Sequence, residues 1–265
     1  MKHGSPISYW QSEPGCASPL TLAKVHFRPN WQTNAFRRAD GTFRPAVRFI
    51  RNANNTDSVK DNNGTGTAIT QMHLASTNTT LNLGAASTWF LVMNNLIVNN
   101  QKGLFGFDGD PRFGAFFIGS DNQLRLHNNA NPGNNSNIQP VVGAANLIDS
   151  RGTGSRMTSG LNGSEVVNIA QSSSARSAAG PFVLGRMIGV NNSAAADIAE
   201  VIVYNRAMND AEVRIVRNAL AARWGLTISN PLWTAAADGF CDDLVGVGSS
   251  TATGDGRIPG ELQVK

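Results

Sequence analysis

Apolar residues along this chain fall in short runs separated by stretches rich in Asn, Ser, Thr and Gly. Ala46 to Ile50 predicts a strand with Val47 and Phe49 on one face, and Ile69 to Leu74 predicts another. Trp89 to Val98 is almost wholly apolar before Asn94, the pattern of a strand covered on both sides. Gly103 to Phe107 and Phe113 to Ile118 flank an Asp-Gly-Asp-Pro turn and predict a hairpin. Leu124 to His127 and Phe182 to Ile188 are strand-like. Residues 128–137 read as a loop, and residues 149–164 as turn-rich. Within the latter, Asn162-Gly163 predicts a tight hairpin turn with positive φ at both positions. Residues 1–45 are interrupted by Pro6, Pro14, Pro19 and Pro29, which excludes long elements there.

The pattern sharpens from Asp197 to Leu226. Ile198 to Tyr204 is a β-branched strand with apolar residues on both sides, as an internal strand requires. Strict alternation puts Ile198, Glu200, Ile202 and Tyr204 on one face, and Ala199, Val201 and Val203 on the other. A helix follows. Asn209 is its N-cap, Glu212 completes a capping box, and Met208 and Val213 form a hydrophobic staple. Val213, Val216, Leu220 and Trp224 make one apolar stripe, and Gly225 ends the helix. One amphipathic helix among many strands predicts a helix packed on the outside or end of a sandwich.

Composition narrows the function classes. The chain has 265 residues, 41% hydrophobic and only 15% charged, enough for one large β domain with a real core. The net charge of +4 is spread out, and Arg37, Arg38, Arg44 and Arg48 are the nearest approach to a basic cluster. That argues against a nucleic-acid partner. No apolar run reaches the length of a membrane span, so no membrane insertion is expected. The opening MKHGSPISYW has no hydrophobic signal core. The low charge and Asn/Thr/Gly-rich turns nevertheless resemble those of extracellular or cell-surface β proteins. Asn-x-Ser/Thr sequons begin at Asn54, Asn63, Asn78, Asn134, Asn162 and Asn191, some of which so Asn-rich a chain supplies by chance. Cys16 and Cys241 are either a disulfide or two buried thiols.

Candidate chemistry is sparse. Glu200 is the one carboxylate inside a firmly patterned strand, and glycoside hydrolysis needs two. An ion pair with Arg186 or Arg206 is the expectation for it. Gln71-Met72-His73 is similar to a three-residue lyase motif, without the companion Tyr- and Arg-bearing motifs. His3, His26, His73 and His127 have no zinc spacing. No catalytic residue is therefore assigned. Calcium remains a candidate ligand of the acidic turns at Asp57 and Asp61, at Asp108, Asp110 and Asp121, or at Asp242, Asp243 and Asp255. For sugar recognition, Trp10 and Trp31 lie in irregular sequence, and Phe105, Phe107, Arg112 and Phe113 surround the polar hairpin. Trp31, Asp108, Asp110 and Arg112 are the predicted ligand-binding residues.

The order of these segments resembles a laminin-G-like or concanavalin-A-like jelly-roll domain of bacterial surface proteins. The resemblance rests on Arg44–Phe49 (RPAVRF), Trp89–Met93, Phe182–Arg186, and the block formed by Ile198–Tyr204, Asn205–Arg206, Asn209–Glu212 and Trp224–Gly225. The tail DDLVGVG is similar to a segment that follows such domains in large secreted proteins. The resemblance implies an all-β jelly-roll β-sandwich over residues 1–228, with residues 229–265 an extension or the start of another module. It implies a non-catalytic carbohydrate-binding or adhesive module of an exported multidomain protein, with a polysaccharide or surface glycan as partner. A structural domain contacting neighbouring protein subunits is the alternative, and a polysaccharide-degrading enzyme on the same scaffold a third reading.

Overall fold

The computed structural model describes residues 2–3, 5, 9–10, 20–21, 29–38, 41–49, 74–76, 86–96, 102–107, 115–118, 124–128, 131–135, 140–170, 182–185 and 195–229. The expectations for Cys16, Cys241, residues 69–73, the sequons outside these spans and the tail beyond Ser229 lie outside them.

One antiparallel sheet holds seven strands. They are β3 (Asn30–Arg37), β4 (Phe43–Phe49), β6 (Ala86–Asn95), β11 (Ala145–Thr153), β12 (Arg156–Leu161), β13 (Ser164–Ala170) and β15 (Ala196–Tyr204). Their order is β13-β12-β11-β6-β15-β4-β3. The second sheet holds β1 (Tyr9–Trp10), β2 (Leu20–Thr21), β5 (Leu74–Ser76), β7 (Lys102–Phe107), β8 (Ala115–Ile118), β9 (Leu124–Asn128), β10 (Asn131–Asn135) and β14 (Phe182–Leu184). Their order is β1-β2-β5-β14-β7-β8-β9-β10. Consecutive strands pair as hairpins (β3-β4, β7-β8-β9-β10, β11-β12-β13), whereas β6, β14 and β15 join neighbours far apart in sequence, and the chain crosses between the sheets repeatedly. The fold is a jelly-roll β-sandwich with one helix, α1 (Asp210–Trp224), among the described residues.

Two apolar layers hold it together. Val47, Phe49, Trp89, Leu91, Met93, Ile148 and Ile198 of the seven-stranded sheet meet Leu104 and Leu184 of the other. On the opposite face, Phe36, Ala46, Phe90, Val92 and Leu147 meet Val213, Val216, Leu220 and Trp224 of the helix. β6 is therefore covered twice, and its stretch Trp89–Met93 is at most 2% exposed, as its unbroken apolar run demands.

The helix termini follow their sequence signals. Asn209 Oδ1 accepts from the Glu212 N–H at 2.9 Å, and Glu212 Oε2 accepts from the Asn209 N–H at 2.8 Å. Gly225 takes the left-handed conformation at φ 67, and the Leu226 N–H donates to the Ala221 carbonyl at 2.8 Å. Thr88, wholly buried in β6, donates to the Arg206 carbonyl and accepts from the Met208 N–H, fixing the chain just before the helix. The Asn162-Gly163 turn has the anticipated positive φ values, 49 and 85.

Residues 1–45 are not all irregular, since Asn30–Arg37 forms an eight-residue strand ordered by pairing with β4. Three further expectations change. The segment 128–137 is not all loop: Asn131–Asn135 pairs with β9 as an edge strand, with a register shift between Asn131 and Asn134. Pro132 and Gly133 sit at that shift, where a missing N–H or side chain is tolerated. The segment 149–164 is mostly strand, because pairing to β6 and β13 orders residues too small and polar to announce themselves. Third, a bulge between Ile198 and Glu200 breaks the alternation of β15. Ile198, Val201 and Val203 face the other sheet, whereas Ala199, Ile202 and Tyr204 face the helix.

Candidate functional site

The helix-covered face carries carboxylates as well as apolar groups, and each is matched by a cation. Asp149, 4% exposed, accepts from Arg217 Nε and Nη2 at 2.8 and 2.7 Å. Glu200 accepts from Arg223 Nη1 and from the Trp224 indole N–H, both at 2.6 Å. This corrects the expected partners, Arg186 or Arg206: the bulge turns Glu200 toward the end of the helix. Arg206 is committed elsewhere, to both oxygens of Glu212. That ion pair lowers the Glu212 pKa and raises that of Arg206, the mutual side-chain hydrogen bonds being the main cause in each case. Arg151 bridges the Met208 carbonyl and Asp210. These groups fasten the helix to the sheet.

A different arrangement lies at the end of the sheet where β6 ends and β15 begins. Asp197 is directly opposite Arg48 of β4 on one side and Asn94 of β6 on the other. Arg48 is opposite Asn30 of β3, and Asn94 is opposite Ala145 of β11. Directly opposed residues share a face, so Asn30, Arg48, Asp197 and Asn94 form one polar row across four strands on the helix-bearing side. With strands about 4.8 Å apart, the row spans roughly 14 Å. One row inward, at Ala46, Val92 and Leu147, the same face is apolar and packs under the helix.

Arg48 donates through Nε and Nη2 to the two oxygens of Asp197, at 2.6 and 2.8 Å. The Asp197 side chain is 1% exposed and that of Arg48 33%, so the guanidinium lies over the carboxylate and reaches solvent. The hydrogen bond to Asp197 raises the Arg48 pKa further, against a smaller opposing effect of burial. Asn94 is 9% exposed, and its Oδ1 has no hydrogen-bond partner among the described residues. A buried acceptor left in this way costs about 1–3 kcal/mol. Beyond Ala145 the chain presents Val141 and Val142, 57% and 37% exposed. Asn146 fixes this segment through bonds to Val141 and to the Ala144 carbonyl. The row therefore holds a buried acceptor without a partner beside an arginine that reaches solvent.

Of the residues predicted from sequence, Trp31 lies in β3, half-buried, packed against the layer between the sheets. It is next to Asn30 but on the opposite face. Asp108, Asp110 and Arg112 lie outside the described residues, as do Gln71-Met72-His73 and the acidic turns considered for calcium. Among the described residues no group of three His, Cys, Asp or Glu is placed to hold a metal ion. No described helix is long and apolar enough to cross a membrane. Sequence reasoning missed the row. Its one local signal was Asn94, the polar residue that interrupts the apolar run of β6.

A jelly-roll β-sandwich is the class that this topology defines. No family model and no curated protein matches the chain. The similarities are to solved structures, at low identity. The binding domain of Paraclostridial Mosquitocidal Protein 1 is 12% identical, with a TM-score of 0.50 over 83% of this chain and 55% of its own. A heptameric SAP-like pentraxin from Limulus polyphemus is 18% identical, with a TM-score of 0.44 over 55% of this chain and 75% of its own. A Trypanosoma rangeli sialidase is 14% identical, with a TM-score of 0.49 over 85% of this chain and 33% of its own. The chain thus spans about half of the mosquitocidal-protein binding domain, 55%, and a third of the sialidase, 33%. The likeness to the mosquitocidal-protein domain is one of fold.

Proposed function

We propose that this chain is a non-catalytic carbohydrate-binding or adhesive module. The observation that carries the reading is the division of labour among its polar groups. Each described carboxylate, Asp149, Glu165, Asp197, Glu200, Asp210 and Glu212, is engaged by a neighbouring Arg, Asn or Trp. The two buried ones, Asp149 and Asp197, each have both oxygens taken by an arginine, an arrangement that holds shape rather than one that frees a group for catalysis. Hydrogen-bonding capacity that the fold does not use instead collects at one end of the seven-stranded sheet, at Asn94 and Arg48. The similarity in fold to a domain described as a binding domain agrees with this reading. Placement in an exported, multidomain surface protein, and in the laminin-G-like branch of the fold, belongs to the same proposal and rests on composition and on the sequence resemblance.

The test is a glycan array spanning neutral, uronate-bearing and sulfated oligosaccharides, probed with the whole chain. Saturable binding to a restricted set supports the module. Binding to none of them sinks it.

A second reading, a domain that contacts neighbouring protein subunits, is favoured by one feature. β3 is the outer strand of its sheet, and Phe43 in the adjoining hairpin is 51% exposed. Multi-angle light scattering of wild type and Phe43→Ser decides it. A higher-order mass that Phe43→Ser dissociates supports assembly, and a monomer in both argues against it.

A further inference from the structure

We infer that Asn30, Arg48 and Asn94, arrayed around the buried Asp197, are the binding row for a neutral, extended oligosaccharide. This rests on the glycan-binding reading and gives it a place and a ligand class.

The chemistry of the row selects the ligand. Asn94 Oδ1 is an acceptor without a partner, so it calls for a donor. Arg48 uses Nε and Nη2 on Asp197, which leaves Nη1 to donate. Asn30, half-exposed at the outer end, makes no hydrogen bond through its side chain among the described residues and both donates and accepts. A hydroxyl also donates and accepts, so successive hydroxyls of a sugar chain match a row that offers acceptor, donor and amide in turn. Charged ligands match less well. The Arg48 and Asp197 charges cancel, and both Asp197 oxygens already accept from Arg48, so neither an anion nor a metal cation finds an uncompensated opposite charge. A carboxylate or sulfate has no proton to give Asn94. The competing account is a single trapped water on Asn94 Oδ1, which would satisfy the atom with no ligand at all.

The test uses the whole chain, labelled with nitrogen-15, titrated with maltotriose, mannotriose, chitotriose and a galacturonate trimer, together with any glycan found on the array. The Asn94 and Asn30 side-chain amides and the Arg48 Nε–H report binding directly in wild type. Asn94→Leu removes the unpaired acceptor and keeps the side chain's bulk. It is expected to unfold at the same denaturant concentration as wild type or a higher one, while affinity for the bound neutral glycan falls about tenfold or more, the worth of one hydrogen bond to a buried group. Asn30→Ala is expected to weaken binding several-fold and to leave stability unchanged.

A neutral glycan that binds wild type and Asn94→Leu equally, without moving the three reporter resonances, overturns the row and leaves the module reading intact. Preference for the uronate trimer at the row overturns the ligand class. A stability loss in Asn94→Leu, with reporter resonances indifferent to every glycan, assigns the atom to a trapped water only and overturns the proposal. Absence of binding to any glycan on the array removes the module reading, and this inference with it.

Discussion

Trp224 donates its indole N–H to Glu200 across 2.6 Å, joining the last turn of the helix to the middle of β15. The same ring meets Phe36 edge-on, with centroids 5.5 Å apart. One side chain thus serves as an apolar filler on the sheet and as a polar anchor for Glu200. Trp224→Phe keeps the aromatic packing and removes the donor. It is expected to lower stability by about 1.5–3 kcal/mol, the range for a hydrogen bond to a charged group. Urea denaturation measures it, and the double variant with Glu200→Met should fall short of the sum of the two single losses, since both remove the same bond.

Asp197 gives a larger and more diagnostic effect. Arg48→Met leaves a wholly buried carboxylate without its cation, at a cost of about 3–5 kcal/mol. Replacing both members, Arg48→Met with Asp197→Leu, removes the stranded charge and should recover most of that loss. A double variant as unstable as Arg48→Met alone would show that the pair's value lies in its hydrogen bonds rather than in mutual neutralisation.

Gly185 closes the space between the sheets. It sits at φ 84, and a Cβ there would run into the Phe49 ring. Its N–H donates to the Leu104 carbonyl at 2.7 Å, so the backbone has no room to withdraw. Gly185→Ala combines strain with overpacking, each worth about 1–3 kcal/mol. Guanidinium denaturation should show the loss, and Phe49→Leu in the same chain should return part of it.

The capping ion pair sets a pH response. Arg206 holds the Glu212 pKa below the usual glutamate range, so the folded state binds this proton less readily than the unfolded one. Its contribution is complete above the unfolded-state pKa and is lost as pH falls through the lower, folded value. Between about pH 5 and pH 2, wild type should therefore lose more stability than Glu212→Gln, which has no proton to take up there. Arg206 is 48% exposed, so the difference is small and shrinks further in salt. Thermal midpoints across that pH range, at low and high ionic strength, check both points.

The helix and its caps were legible because their signals are local: Asn209, Glu212, Met208 and Gly225 all act within a few residues of one another. The Asn162-Gly163 turn was legible for the same reason. The faces of β15 were misjudged, because a bulge adds one residue that no side-chain alternation records. β10 was hidden inside an Asn-rich stretch, where pairing with β9 rather than intrinsic preference makes the strand. The polar row was out of reach altogether. Its members are residues 30, 48, 94 and 197, and only the strand order 6-15-4-3 brings them side by side.

The bulge at Ala199 and Glu200 has a wider effect than turning one carboxylate. It indexes the helix against the sheet, because a shift of one turn would separate Trp224 and Arg223 from the Glu200 oxygens that receive them. The helix is thus keyed to the interior of β15 and not to its start. The stretch of β15 that carries Asp197 lies before the key, so substitutions around the row can accumulate without disturbing how the helix docks. In this sandwich the part that holds shape and the part free to acquire new specificity occupy successive lengths of a single strand.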